Sequence, residues 1–203
     1  MPWWTVGLVA AIALAFAFPD AAGYLIFERA SIARGEIWRL PGAHFVHYSG
    51  AHLVYNALLL LPLAWLVERR YRNELGALLI ASAFAIGAAV YVFEPGIQRY
   101  AGASGWSFAL LGYAATRGLF EGGRWRIVCA VLFALLIGKL YAESILGFHL
   151  EDWAQHGGFV ALPLSHAVGA GTGVAIALMR ESLPRFACAT AQRRARNRFS
   201  TNC

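Results

Sequence analysis

Three kinds of polar side chain stand at the starts of apolar segments that are far apart in this sequence. Ser104 lies in Gly102-Ala103-Ser104-Gly105 at the head of one segment, and His166 opens a glycine-rich one. His52 and Asn56 begin a third segment and, at i and i+4, share one helix face. A serine, an imidazole and an amide donor can serve as nucleophile, base and oxyanion stabiliser. The pattern indicates acyl-transfer chemistry, provided that the helices bring these groups together.

The composition indicates that this chemistry would take place in a membrane. The 203 residues are 59% hydrophobic and 14% charged, with a mean hydropathy of +0.55. A soluble domain has about 25% charged residues. Apolar segments of roughly membrane-crossing length are predicted over residues 4–27, 51–67, 75–93, 104–119, 125–147 and 159–179. We expect an all-α membrane protein whose residues 1–180 form one bundle of six transmembrane helices.

The basic residues predict the orientation of this bundle. Twelve of the 17 lie at or after the ends of even-numbered spans, namely Arg69, Arg70, Arg72, Arg117, Arg124, Arg126, Arg180, Arg185, Arg193, Arg194, Arg196 and Arg198. The positive-inside bias therefore predicts cytoplasmic termini, with residues 181–203 as a disordered basic tail that can contact anionic lipids. This distribution explains the net charge of +6 without a nucleic-acid partner. The first span lacks the basic start of a signal peptide, so we expect it to be retained.

Topology predicts that the polar groups converge. With the N-terminus inside, spans two, four and six all run from outside to inside, so their starts share one depth. His52, Asn56, Ser104 and His166 are therefore expected at one level in the outer leaflet. They should face the bundle interior, because polar groups exposed to lipid are costly. Unpaired backbone N–H groups at the start of the fourth helix would also favour an oxyanion beside Ser104.

Glycines at the same positions predict close helix contact. Gly102 and Gly105 flank the serine and allow another backbone or a substrate to approach closely. Gly169 and Gly173 give the sixth span a small surface for tight packing. A hydrogen bond between nucleophile and base needs such contact.

Phe108 follows Ser104 by one turn and could stack on the imidazole of His166. We identify no acidic residue to complete a triad, since Glu151 and Asp152 lie in the loop after the fifth span. The expectation is a serine–histidine dyad whose base is oriented by packing rather than by a carboxylate.

At these residues the chain resembles the rhomboid intramembrane serine proteases. The resemblance covers about residues 35–175, and four motifs in the right order make it specific. They are Trp38-Arg39, His47-x4-His52-x3-Asn56, Gly102-x-Ser104-Gly105-x2-Phe108-x3-Gly112-Tyr113 and His166-x2-Gly169-x3-Gly173. The resemblance implies Ser104 as nucleophile, His166 as base, and His52 and Asn56 with the Ser104 N–H as oxyanion donors. It implies no cofactor, and Phe108 stands where the family usually has tyrosine.

Finer features resemble the rhombosortase branch of that family. They are the small size, Tyr100 just before Gly102, and Lys139 with Glu143 in span five. The resemblance implies a membrane-anchored protein substrate with a glycine-rich C-terminal anchor, and a location in the bacterial inner membrane. Two interpretations are open for Lys139 and Glu143, which are spaced i and i+4. They could recognise a charged substrate terminus, or they could form a structural ion pair.

Two other functional classes were open from the residues alone. His44 with the other histidines could ligate a metal, but there is no H-E-x-x-H motif and no nearby carboxylate on the same spans, so no metal site is predicted. A transporter or binding protein could also use polar residues and glycine-rich helices, although no inverted repeat is visible. In the rhomboid comparison, the loop flanked by His149 and His156 would cap the site.

Overall fold

The computed structural model describes residues 2–71, 73–147 and 162–200, with side chains described as far as Ser182. The predicted capping loop and its acidic residues lie outside these ranges. The longer helices are α1 (Trp3–Ala17), α2 (Pro19–Leu25), α5 (Gly50–Arg70), α6 (Leu75–Phe93), α7 (Ser104–Leu119), α8 (Gly123–Ser144) and α9 (Pro163–Ser200). The shorter elements are β1 (Phe27–Glu28), α3 (Arg29–Ala33), α4 (Arg39–Gly42), a 3-10 helix (Ala43–Phe45) and β2 (Arg99–Tyr100).

The first predicted span is wrong as a single helix. It breaks at Phe18, and α1 and α2 meet at a bend of 110°. Pro19 explains the break, because it cannot donate to the preceding turn and it disfavours helical geometry at the residue before it. The apolar run is continuous in sequence, so hydropathy alone conceals the bend.

A short β-pair holds the segment that leads to α7. Strands β1 and β2 pair antiparallel, with Phe27 opposite Tyr100. Next to them, the Arg29 guanidinium donates to the carbonyls of Val90, Tyr91 and Glu94 at the end of α6, and to that of Ile97. The Val90 and Glu94 carbonyls also accept from the backbone N–H groups of Glu94 and Ile97, and the arginine adds donors at a helix end whose last carbonyls are short of partners. The chain is thereby fixed shortly before it enters α7.

Helix α7 lies at the centre of the bundle and packs against α5, α6, α8 and α9. Its 16 residues correspond to about 24 Å, which is less than the thickness of a bilayer core. Most of its side chains are buried, and many are Gly, Ala or Ser. Its first residue, Ser104, stands between the buried Ala103 and Gly105, so the helix begins inside the bundle.

The structure supports an all-α membrane protein, but its described residues contain fewer candidate membrane spans than the six predicted. Within the described residues, α5, α6 and α8 are long and apolar enough to cross a membrane, and the bent α1–α2 pair would be a fourth span if its two helices cross together. The predicted bounds of α6 and α7 agree with the observed ones. Helix α9 continues past residue 180 to Ser200, so helix extends into the segment that was expected to be a disordered tail.

Candidate active site

The starts of α7 and α9 are in backbone contact through glycine. A Cβ atom built on Gly169 would overlap the carbonyl oxygen of Gly105, and one on Gly173 would overlap that of Ala109. A Cβ on Gly112 would lie 2.7 Å from the carbonyl oxygen of Ala170. Only residues without side chains allow this approach. The first turn of α9, which carries His166, is therefore held directly against the first turn of α7.

The His166 ring is fixed on one face and one edge. It stacks on Phe108 with a centroid distance of 4.1 Å and an interplanar angle of 9°. Its Nδ1 lies 2.9 Å from the Glu143 carboxylate, so the ring donates an N–H there. The residue is 1% exposed, and within the described part of the chain Nε2 has no hydrogen-bond partner. With Nδ1 protonated, a neutral ring keeps a free lone pair on Nε2.

Ser104 is half-buried at the first position of α7. It precedes Phe108 by one helical turn, so both lie on the α7 face that His166 covers. The structure records no hydrogen bond from its hydroxyl to His166 Nε2; such bonds are often long without substrate. The N–H groups of Ser104, Gly105 and Trp106 belong to the first turn and lack intrahelical acceptors. An anion forming at this position would meet N–H donors and the positive end of the helix dipole.

His52 and Asn56 approach the same loop from α5. Gly102 has a φ of +125°, and a Cβ built on it would lie 2.7 Å from His52 Nε2 and 3.9 Å from Asn56 Nδ2. The Tyr48 backbone N–H donates to His52 Nδ1 at 3.4 Å. In a neutral ring Nε2 then carries the proton, and its N–H is directed toward the Gly102 loop. Asn56 uses one amide hydrogen on the His52 carbonyl at 2.9 Å and keeps a second.

His44 supports this loop from the other side, a role that the sequence did not reveal. It is fully buried, with Nδ1 3.1 Å from the Gly102 carbonyl and Nε2 3.4 Å from that of Ala83. Its ring lies against Trp106, whose indole N–H donates to Leu79. Burial lowers the pKa of His44 to about 4, so the ring is neutral at physiological pH. It had no assigned role because nothing in its spacing indicates the Gly102 contact.

His47 packs edge-on against His52 at a centroid distance of 5.0 Å. Burial lowers its pKa to about 4, and neither ring nitrogen has a hydrogen-bond partner among the described residues. Two cavities adjoin it. One of about 270 Å³ lies between α1 and α5 and is lined by His47, Asn56 and apolar side chains. The other, of about 360 Å³, includes Tyr48 and Arg99 in its lining.

Trp38 and Arg39 are not brought to the serine. The Trp38 indole N–H donates to the Tyr24 carbonyl, and the Arg39 guanidinium donates to those of Gly23 and Ile26. These acceptors lie in α2 and at its C-terminal cap. The motif therefore fastens the bent α1–α2 segment to the start of α4.

One sequence expectation about the base is wrong, because a carboxylate does lie beside His166. Glu143 is 2% exposed and contacts Nδ1 through Oε2. Its other oxygen, Oε1, is 2.7 Å from Lys139 Nζ. The predicted i, i+4 pair thus exists, but the carboxylate also reaches across to α9.

The face that α8 buries explains this contact. Within α8 the buried residues are Cys129, Leu136 and Glu143, which recur every seven positions and so form one stripe. Helix α8 also runs opposite to α9, so its C-terminal end lies level with the start of α9. A charged residue on the buried stripe, at the level of His166, needs a polar partner there.

The comparisons with known proteins agree with the motifs and their arrangement. The Rhomboid domain family matches residues 34–182, more than two thirds of the chain. Over 86 residues the chain is 40% identical to the rhomboid protease GluP of Bacillus subtilis (strain 168). That match covers 42% of this chain but only 17% of the relative. The chain belongs to the rhomboid family.

Proposed function

We propose that this chain is an intramembrane serine endopeptidase in which Ser104 is the nucleophile and His166 the general base. The observation that carries the proposal is the orientation of His166. Its ring lies on Phe108, one turn from Ser104, and Nδ1 is occupied by Glu143. Nε2 is thus the nitrogen left to take the serine proton.

The oxyanion would form between α7 and α5. The N–H of Ser104 stands at the helix start, and the N–H groups of His52 and Asn56 point toward the adjoining Gly102 loop. After attack on a carbonyl these donors would bind its oxygen, and His166 would pass its proton to the leaving amine. A water, activated by the same base, would then release the acyl-enzyme.

We further propose a substrate held by a membrane anchor and cleaved near the outer face of a bacterial inner membrane. Support comes from the six apolar segments and the arginine distribution, which favour six spans and cytoplasmic termini. The anchor segment would unwind beside α5 and α8. Glycine-rich C-terminal anchors, as processed by the rhombosortase branch, are the candidates, because Tyr100 and the Lys139–Glu143 pair resemble that branch.

Fluorophosphonate labelling of the detergent-purified protein tests the activated serine, with Ser104→Ala and His166→Ala as comparisons. We expect labelling of the wild type and its loss in both variants, while their melting temperatures stay within a few degrees of the wild type. Cleavage of a reporter with a glycine-rich anchor, against the same reporter with leucines in place of the glycines, tests the substrate class. A folded wild type that neither labels nor cleaves would favour a transporter or binding protein instead.

A further inference from the structure

We propose that Glu143 is a positioning residue for His166, so that the base works in a Glu143–His166–Ser104 relay with Lys139 as the counter-ion of the carboxylate. The inference rests on the proposed function of Ser104 and His166. It adds a third member to a site for which packing alone was expected to orient the base.

The contact has the geometry that such a role requires. Glu143 Oε2 lies 2.9 Å from His166 Nδ1, the nitrogen remote from the one needed for proton transfer. A carboxylate there selects the Nδ1–H tautomer and leaves Nε2 with its lone pair. Phe108 fixes the ring plane, but stacking alone permits the ring to flip and exchange its two nitrogens. The hydrogen bond to Glu143 distinguishes them.

Charge supplies the second reason. When His166 takes the serine proton it becomes a cation on a residue that is 1% exposed, where an unpaired charge is expensive. The Glu143 anion lies in direct contact with that developing charge. Helix α8 offers no other charged residue on its buried stripe of Cys129, Leu136 and Glu143.

Lys139 completes the arrangement in the resting state. An isolated carboxylate in this environment would be costly, and its pairing with the Lys139 ammonium at 2.7 Å offsets that cost. Lys139 lies one turn earlier on α8 and is partly exposed, so its ammonium can reach more polar surroundings. The carboxylate thus has one oxygen for its counter-ion and one for the base.

The test compares Glu143→Gln with Glu121→Gln. The second variant removes a carboxylate that pairs with Arg70 and Tyr71 at the opposite end of α7, outside the site. We expect Glu143→Gln to lower kcat by roughly 10²- to 10⁴-fold, the range seen when a base loses its orienting carboxylate. The acid limb of its pH–rate profile should move to lower pH. Glu143→Asp should recover part of the rate, and Glu121→Gln should behave as the wild type.

A spectroscopic readout separates failure of this inference from failure of the proposed function. In ¹⁵N-histidine-labelled protein, the Nδ1–H proton of His166 should be strongly deshielded. It should move upfield in Glu143→Gln and be absent in His166→Ala. An active wild type in which Glu143→Gln keeps the rate, the pH profile and this resonance would overturn the role of Glu143 alone. A folded wild type without Ser104-dependent activity would overturn the proposed function and the relay together, even if the resonance showed the contact to be real.

Discussion

Gly102 is the residue at which the backbone before α7 meets the polar groups of α5. Its φ of +125° is one that L-residues rarely adopt. Its carbonyl accepts from His44, while His52 Nε2 occupies the space where a side chain would begin. Two requirements therefore coincide there, an unusual backbone conformation and room for an imidazole.

Gly102→Ala and Gly35→Ala can separate these two requirements. Gly35 also has a positive φ, +103°, but a Cβ there would meet nothing within 4 Å. Both variants should lose about 1–3 kcal/mol of stability through backbone strain. Only Gly102→Ala displaces His52, and we expect its labelling and cleavage rates to fall by about 10²-fold, the cost of losing one oxyanion donor. Equal activities in the two variants would remove His52 from the oxyanion site.

The pairing of α7 with α9 is the element contact on which the site depends. Along α9, Gly169 and Gly173 face α7 backbone, whereas a Cβ on Gly171 would meet nothing within 4 Å. Glycines on the same helix therefore differ: Gly169 and Gly173 leave no room for a side chain, whereas Gly171 does. The first two determine how closely His166 approaches Ser104.

Gly169→Ala and Gly171→Ala form a matched pair on this helix. The first should push α9 away from the Gly105 carbonyl, costing about 1–3 kcal/mol as overpacking and most of the activity. The second should be neutral or stabilise by about 0.5–1 kcal/mol, since alanine is the better helix former. Thermal unfolding in detergent and fluorophosphonate labelling check both. Equal labelling by the two variants would show that backbone contact does not set the distance between base and nucleophile.

Element boundaries could be predicted where polar residues or glycine interrupt an apolar run, as at both ends of α7. The bend at Pro19 was missed because hydropathy is averaged over a window that spans the break. The partner of His166 was missed for a different reason. Spacing identifies neighbours within one helix, such as Lys139 and Glu143, but not the rotation of one helix about its axis relative to another. That rotation is set by packing, here by the α8 residues that face α7 and α9.

Across the whole molecule, three ion pairs between separate elements lie at the end of the bundle opposite the candidate site. Arg70 pairs with Glu121, Arg117 with Glu181 and Arg180 with Glu74. These residues belong to the end of α5, the α6 start, the α7–α8 junction and the later turns of α9. The arginines used to predict a cytoplasmic face are therefore partly engaged in tertiary contacts. The other end carries the buried histidines, and there the Glu143 carboxylate contacts both Lys139 and His166.

The neutral histidines make stability depend on pH. Burial lowers the pKa of His44 and His47 to about 4 in the folded protein, against about 6.5 in an unfolded chain. Between these values the unfolded state binds protons that the folded state excludes, so stability falls as pH drops from about 6.5 to about 4. Each ring accounts for at most about 3 kcal/mol, enough to lower the melting temperature by several degrees. The variant His47→Phe removes this titration and keeps an aromatic ring at the position. Melting temperatures measured in detergent from pH 7.5 to pH 4.5 should fall less steeply for His47→Phe than for the wild type. Parallel curves would mean that His47 has the same pKa in the folded protein as in the unfolded chain, with water reaching it through the adjoining cavities.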